Sequence, residues 1–129
     1  MKTLLPFLVV GAGGFAGSIF RYALSLACQR CSAVFPHGTL WANLLGCLVL
    51  GCVSALAVKT DALSPTVRLL LATGLCGGFT TMSTFTYELF KFLEDAEYLY
   101  AAAYFSLTVA GCLALFCLGF YAAALMAKG

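Results

Sequence analysis

Charge is scarce in this chain of 129 residues, with seven Lys and Arg, five Asp and Glu and one His, so that only 9% of positions are charged. Proline occurs three times and tryptophan once. A soluble domain usually carries about 25% charged residues. With a net charge of +2 and no basic run, nucleic acid is not an expected partner. What is abundant is apolar: 63% of residues are hydrophobic, against roughly 45–50% in soluble domains. A globule of this size cannot hide so much apolar surface. These proportions exclude a water-soluble enzyme, a disordered chain and a disulfide-stapled secreted domain. The excess must face lipid, so the chain reads as an all-α integral membrane protein.

A helix needs about 20 apolar residues to cross a bilayer core. Charge-free windows run from Thr3 to Phe20, Gly38 to Val58, Leu69 to Tyr87 and Tyr98 to Ala127. They predict one domain over 1–129 with four transmembrane helices, approximately 3–27, 38–58, 69–90 and 98–126. The polar joints Gln29–His37, Lys59–Arg68 and Lys91–Glu97 are too short for soluble domains. The first window lacks a small-residue cleavage pattern, so it reads as a span rather than a signal peptide. An even number of spans places both termini on one side. That side holds Lys2, Lys59, Arg68 and Lys128; the other holds Arg21, Arg30 and Lys91. Lys/Arg asymmetry normally sets orientation, and four against three barely biases it. Either one orientation prevails despite few charges, or the chain inserts both ways and inverted copies pair.

Seven cysteines are present, and five of them, Cys47, Cys52, Cys76, Cys112 and Cys117, fall in the predicted spans as small apolar residues. Cys28 and Cys31 form a C-x-x-C without the second pair of ligands that a zinc or redox site needs. In the first span, Gly13 and Gly17 are spaced to let another helix approach closely. Arg21 closes the first charge-free window, either snorkelling to the interface or drawing anions to a vestibule. In the second span Asn43 must be bonded, since an unpaired amide in a membrane is costly. It either glues helices or offers N–H donors to a polar cavity.

The third span is the most informative. Gly77-Gly78 followed by Thr80, Thr81, Ser83 and Thr84 forms a poor helix at mid-membrane depth. A break there is tolerable only where it is buried in protein or lines a water-filled cavity, and discontinuous helices build ion sites in transporters. Phe79, Met82 and Phe85 share one face if the segment stays helical. They either pack as core or present positive ring edges to a small anion. The first, second and fourth spans contain no acid, and Glu88 comes only at the end of the third. A proton-coupled exporter wants an embedded carboxylate, so this pattern argues against one. Nothing clusters as nucleophile, base and orienting group, so the chain is not expected to be an enzyme.

Three stretches resemble the Fluc (CrcB) family of fluoride channels. They are Gly13-Gly14-Phe15-Ala16-Gly17 leading to Arg21-Tyr22, Gly38-Thr39-Leu40-Trp41-Ala42-Asn43-Leu44-Leu45-Gly46, and Gly74-Leu75-Cys76-Gly77-Gly78-Phe79-Thr80-Thr81-Met82-Ser83-Thr84-Phe85. The resemblance implies an antiparallel, dual-topology homodimer in the cell's inner (plasma) membrane, with a broken third helix. Two pores would pass dehydrated fluoride passively out of the cytoplasm, giving fluoride resistance. It also implies a central structural sodium on the backbone carbonyls of Gly77 and Thr80 from both copies. Asn43 matches the family's vestibule asparagine, and Thr39, Tyr104, Thr108 and Cys112 match its polar track. Ser83 and Thr84 join them on the pore, with Arg21 at a vestibule. The family's paired phenylalanines read Met82 and Phe85 here, and Met has no aromatic edge. The alternatives are a coupled transporter of a small anion or cationic drug, and a structural membrane subunit without transport.

Overall fold

The computed structural model describes residues 4–30 and 34–127, which contain helices and no strand. Lys2, Cys31 and Lys128 lie outside the described residues. The elements are α1 (Leu5–Cys28), α2 (His37–Lys59), α3 (Pro65–Arg68), a π-helical stretch (Leu69–Cys76), α4 (Gly77–Phe79), α5 (Met82–Glu94) and α6 (Tyr98–Met126). Among the described residues, α1, α2 and α6 are each long and apolar enough to cross a membrane. α1 carries a proline in its first turn, where the missing N–H costs nothing. Ser64 opens α3 by accepting from the Val67 N–H, and Pro65 follows it. α5 ends in a left-handed turn at Ala96, φ 58°, with the Glu97 N–H returning to the Phe92 carbonyl at 2.8 Å. That bond spans the last helical turn as in a Schellman closure, and it lets α6 start at once.

Contacts between elements fix the chain direction. Gly13 of α1 abuts Leu70 and Gly74, and Gly17 abuts Leu75 and Phe79. The numbers rise together, so α1 runs parallel to residues 69–79. A methyl group on Gly13 would stand 2.8 Å from the Gly74 Cα, and one on Gly74 2.9 Å from the Gly13 Cα. Neither backbone could stay in place, so this seam exists because both positions are glycine. α2 packs most extensively against α6. Leu44 meets Gly111, Gly51 meets Phe116 and Cys52 meets Gly119, so these helices are also parallel. Because α2 and α6 point the same way, the chain between them must return across the molecule. Residues 65–79 and 82–94 make that return, giving four helical traverses. Apolar side chains such as Phe7, Phe15, Leu107, Leu113 and Leu125 remain on the outside, as lipid contact requires.

The helices overrun the charge-free windows. α1 passes through Arg21 to Cys28, helical structure begins at Pro65 within the expected joint before residue 69, and α5 extends past Lys91 to Glu94. Long basic side chains can snorkel from a helix without ending it, so a window that stops at the first charge falls short. Phe79, Met82 and Phe85 would share one face only on an unbroken helix, and that condition is not met, because helical structure stops after Phe79 and resumes at Met82.

Candidate functional site

The site begins with two extended residues. Thr80 (φ −82°, ψ 158°) and Thr81 (φ −152°, ψ 115°) separate α4 from α5. An uninterrupted helix would direct the Thr81 N–H to the Gly77 carbonyl. Instead it donates to Asn43 Oδ1 at 2.7 Å, while Asn43 Nδ2 donates to the Thr81 carbonyl at 3.2 Å. Asn43 thus pairs with the extended backbone as a neighbouring strand would. The Thr84 N–H, which a helix would send to the Thr80 carbonyl, donates to Thr81 Oγ1 at 3.2 Å and caps α5. Ser83 and Thr84 hydroxyls lie on that same cap, at 3.3 and 3.1 Å from Thr81 Oγ1. Arg21 Nε donates to the Gly78 carbonyl at 3.2 Å, at the C-terminal end of α4 where a cation is favoured. Gly77 is exposed and nothing lies within 4 Å of where its side chain would start. The carbonyls of Gly77, which is exposed, and Thr80, which is half-buried, are therefore relieved of their helical donors.

Beside this interruption lies a cavity of about 410 Å³ between α2, α6 and residues 72–85. Asn43, Thr108, Cys112, Met82, Phe85 and Gly77 are among the residues that line it, as is Thr80. Seven of the predicted site residues are therefore brought to one space. Thr108 Oγ1 is buried there without a hydrogen-bond partner, on a residue 6% exposed. Phe85 and Met82 differ sharply: Phe85 is 4% exposed, with its ring 5.0 Å from that of Tyr104, whereas Met82 is 72% exposed.

Thr39 and Tyr104 are elsewhere, joined by a residue that sequence reading set aside. Glu88 accepts from Thr39 Oγ1 at 2.8 Å and from the Tyr104 hydroxyl at 2.6 Å. Tyr104 is fully buried, against Phe85, Phe92 and Phe35. Thr39 and Glu88 line a second, more polar cavity of about 220 Å³ with Ser25, Gln29 and His37. Tyr104 packs against Phe85, which lines the first cavity, and bonds to Glu88, which lines the second. The signal for Glu88 was that it is the only acid within the predicted spans, although its two partners lie 49 and 16 positions away in sequence.

Residues 8–120 match the family model described as CrcB-like protein, Camphor Resistance (CrcB). The chain belongs to the CrcB family. This CrcB chain is 51% identical over 107 residues to the "Fluoride-specific ion channel FluC" of Chlorobaculum tepidum, covering 83% of this chain and 85% of that one. The protein of the same name from Chlorobium chlorochromatii is 47% identical over 121 residues, 93% of each chain. That of Sorangium cellulosum is 41% identical over 121 residues, covering 93% and 95%. The family match spans all four helical traverses, including the interruption and both cavities.

Proposed function

We propose that this CrcB-family chain is a fluoride-selective channel of the inner membrane, multi-pass and non-enzymatic, that conducts passively. The observation that carries the reading is the cavity at the interrupted traverse. It is walled by apolar groups and offers neutral donors, the Asn43 amide and the unpartnered Thr108 hydroxyl, with no Lys or Arg lining it. Neutral donors can replace part of an anion's hydration shell without trapping it. Fluoride, as the smallest halide and a strong acceptor, gains more from compact donors than chloride does. The path runs from the polar cavity at Thr39 and Glu88, past Tyr104 and Phe85, to Asn43, Thr108 and Cys112. The Thr39 and Tyr104 hydroxyls are engaged by Glu88, so either must release the carboxylate before it can donate to a passing ion.

The functional unit in this reading is an antiparallel, dual-topology homodimer with two pores, its third span broken at Thr80–Thr81. The near-equal distribution of Lys and Arg supports insertion both ways. The exposed residues Gly77 and Met82, on either side of half-buried Thr80, support pairing there, which would bring two sets of relieved carbonyls together. Hard oxygen donors without a thiol or imidazole suit an alkali cation, so Gly77 and Thr80 of each copy are the residues that would hold a structural sodium. Bound there, it would tie the two interruptions together and offset anion repulsion.

Partly buried Glu88 is the one feature that favours a proton-coupled transporter. Fluoride efflux from liposomes separates the readings: a channel dissipates a fluoride gradient with no pH gradient imposed, whereas a coupled transporter requires one and a structural subunit shows no flux. Efflux that stops when the pH gradient is removed overturns the channel reading. Replacing sodium with a large organic cation on both sides, after time for exchange, should impair flux and dimer stability. Indifference to that exchange would remove sodium from the assembly.

A further inference from the structure

Asn43 and Gly46 lie one turn apart on α2, and both meet the interruption. A methyl group on Gly46 would overlap the Thr80 Cγ2 methyl and stand 3.3 Å from the Phe79 ring. Gly46 is buried inside α2 and has no positive φ, so what this position needs from glycine is space. The ring can give way, because Gly46 and Phe79 both line an apolar cavity of about 220 Å³. Thr80 cannot. Its Oγ1 donates to the Cys76 carbonyl at 3.0 Å, and its N–H donates to the same oxygen at 2.9 Å. Turning the side chain to another staggered position would take the hydroxyl off that acceptor.

We propose that Gly46 is a positioning residue for the cation site: by seating the Thr80 methyl it aims the Thr80 carbonyl, and so sets the preference for sodium over potassium. The assignment rests on the sodium reading above. The Thr80 carbonyl is not aimed by a helical donor, since the Thr84 N–H goes to Thr81 Oγ1. Its direction is that of its peptide unit, which also carries the Thr81 N–H. The unit is trans and planar, so the carbonyl points opposite to that N–H. The N–H is held by Asn43 Oδ1 at 2.7 Å, which turns the carbonyl away from Asn43. On the other side of the same peptide, the Thr80 Cα is held by its side chain, through Cys76 and through the space at Gly46. Asn43 and Gly46 thus grip one peptide from both ends. Cations that differ in size are told apart by the number and rigidity of their ligands. A side chain at position 46 would push Thr80 aside, turn this peptide and loosen the ligand that it carries.

The test moves one methyl group across the contact. Gly46→Ala adds it on α2, Thr80→Ser removes it from the interruption while keeping the hydroxyl for Cys76, and the double variant does both. Thermal unfolding of the purified assembly is followed as sodium or potassium chloride replaces N-methylglucamine chloride at constant ionic strength. Gly46→Ala should need roughly tenfold more sodium for half of the stabilisation, and should lose most of the preference over potassium. Thr80→Ser, which leaves the space empty, should need about two- to threefold more. The double variant should return to within about threefold of the unaltered chain, because the two sites share one contact. Gly111→Ala is the control. Its methyl would meet only the flexible Leu44 side chain, at 2.7 Å, and should lower the unfolding temperature without moving the sodium midpoint. If Gly46→Ala does not fold, the double variant decides: it should fold, with a midpoint at or below that of Thr80→Ser. An unchanged midpoint and preference in Gly46→Ala, a double variant as impaired as Gly46→Ala, or an equal shift in Gly111→Ala overturns the assignment and leaves the sodium reading standing. An unaltered chain stabilised equally by all three cations overturns the sodium reading, and the assignment falls with it.

Discussion

The two cavities differ in how completely their polar groups are satisfied. Around Glu88, both hydroxyls that reach the carboxylate are spent on it, at 2.8 and 2.6 Å. Around the interruption, Asn43 is engaged with backbone but Thr108 Oγ1 has no partner at all. A buried hydroxyl without a partner costs about 1–3 kcal/mol, and apolar α6 could have avoided that cost with a valine. The difference suggests two kinds of polar group along one path. On the proposed path, the first set joins helices and would have to be unlocked, whereas the second is free to meet an ion.

The largest expected effect is at the group that joins both roles. Asn43→Ala removes the reciprocal bonds to Thr81 and leaves a backbone N–H and a carbonyl unpaired inside the protein. It should destabilise the fold by about 2–4 kcal/mol and abolish fluoride efflux. Thermal unfolding in detergent beside liposome flux measures the two together. An Asn43→Ala protein of unchanged stability would show that the bonds to Thr81 do not hold the interruption.

Phe85→Ile comes next. The ring is buried at the first cavity and packed on Tyr104, so the substitution removes an aromatic edge and some of that cavity's lining. Flux should fall strongly in a protein that still dimerises, with a stability loss of about 1–2 kcal/mol. Met82→Phe should preserve or raise flux. Because Met82 is 72% exposed on the protomer, a larger ring there has room, and the cost of overpacking a core does not apply within one chain. A Phe85→Ile variant that is less stable but conducts at the starting rate takes Phe85 off the path.

Much of this arrangement was legible in the chain itself. Gly13 and Gly17 announced the α1 seam through their spacing, and the Gly77–Thr84 run announced the interruption through its poor helix propensity. Asn43 announced a bonded amide, although its partner, the Thr81 backbone, is 38 residues away and follows from no local pattern. The Glu88 cluster was not legible for the same reason. Thr39, Glu88 and Tyr104 come from three helices and are united only by how α2, α5 and α6 pack. The length of α1 was legible, an expected span of 3–27 against Leu5–Cys28, whereas the partner of Arg21, the Gly78 carbonyl 57 residues away, was not.

A smaller effect is expected from Tyr104→Phe, which tests whether the Glu88 cluster is structural. It removes one of the two donors to the carboxylate and keeps the ring packing on Phe85. Stability should drop by about 1–2 kcal/mol, and fluoride flux should change with it. Thr39→Val should behave alike, and the double variant should fall short of the sum, because the two hydroxyls share one acceptor. Strict additivity would mean that the hydroxyls act independently of Glu88.

The smallest effect on stability, and the sharpest test of the contrast between the cavities, is Thr108→Val. The change keeps the shape and removes a hydroxyl that has no partner to lose. If the group were a structural donor like Tyr104, its removal would destabilise the protein. As an unpartnered hydroxyl, its loss should be neutral or stabilising by up to about 1 kcal/mol. Flux should nevertheless decrease, because the path loses a donor at the point where an ion has left water. Thr108→Ser, which keeps the hydroxyl and loses a methyl, should retain flux while giving up a little stability. The two variants therefore move stability and flux in opposite directions. A Thr108→Val protein with unchanged flux would place the hydroxyl beside the path rather than on it, and would leave Asn43 as the donor that selects the ion in the cavity.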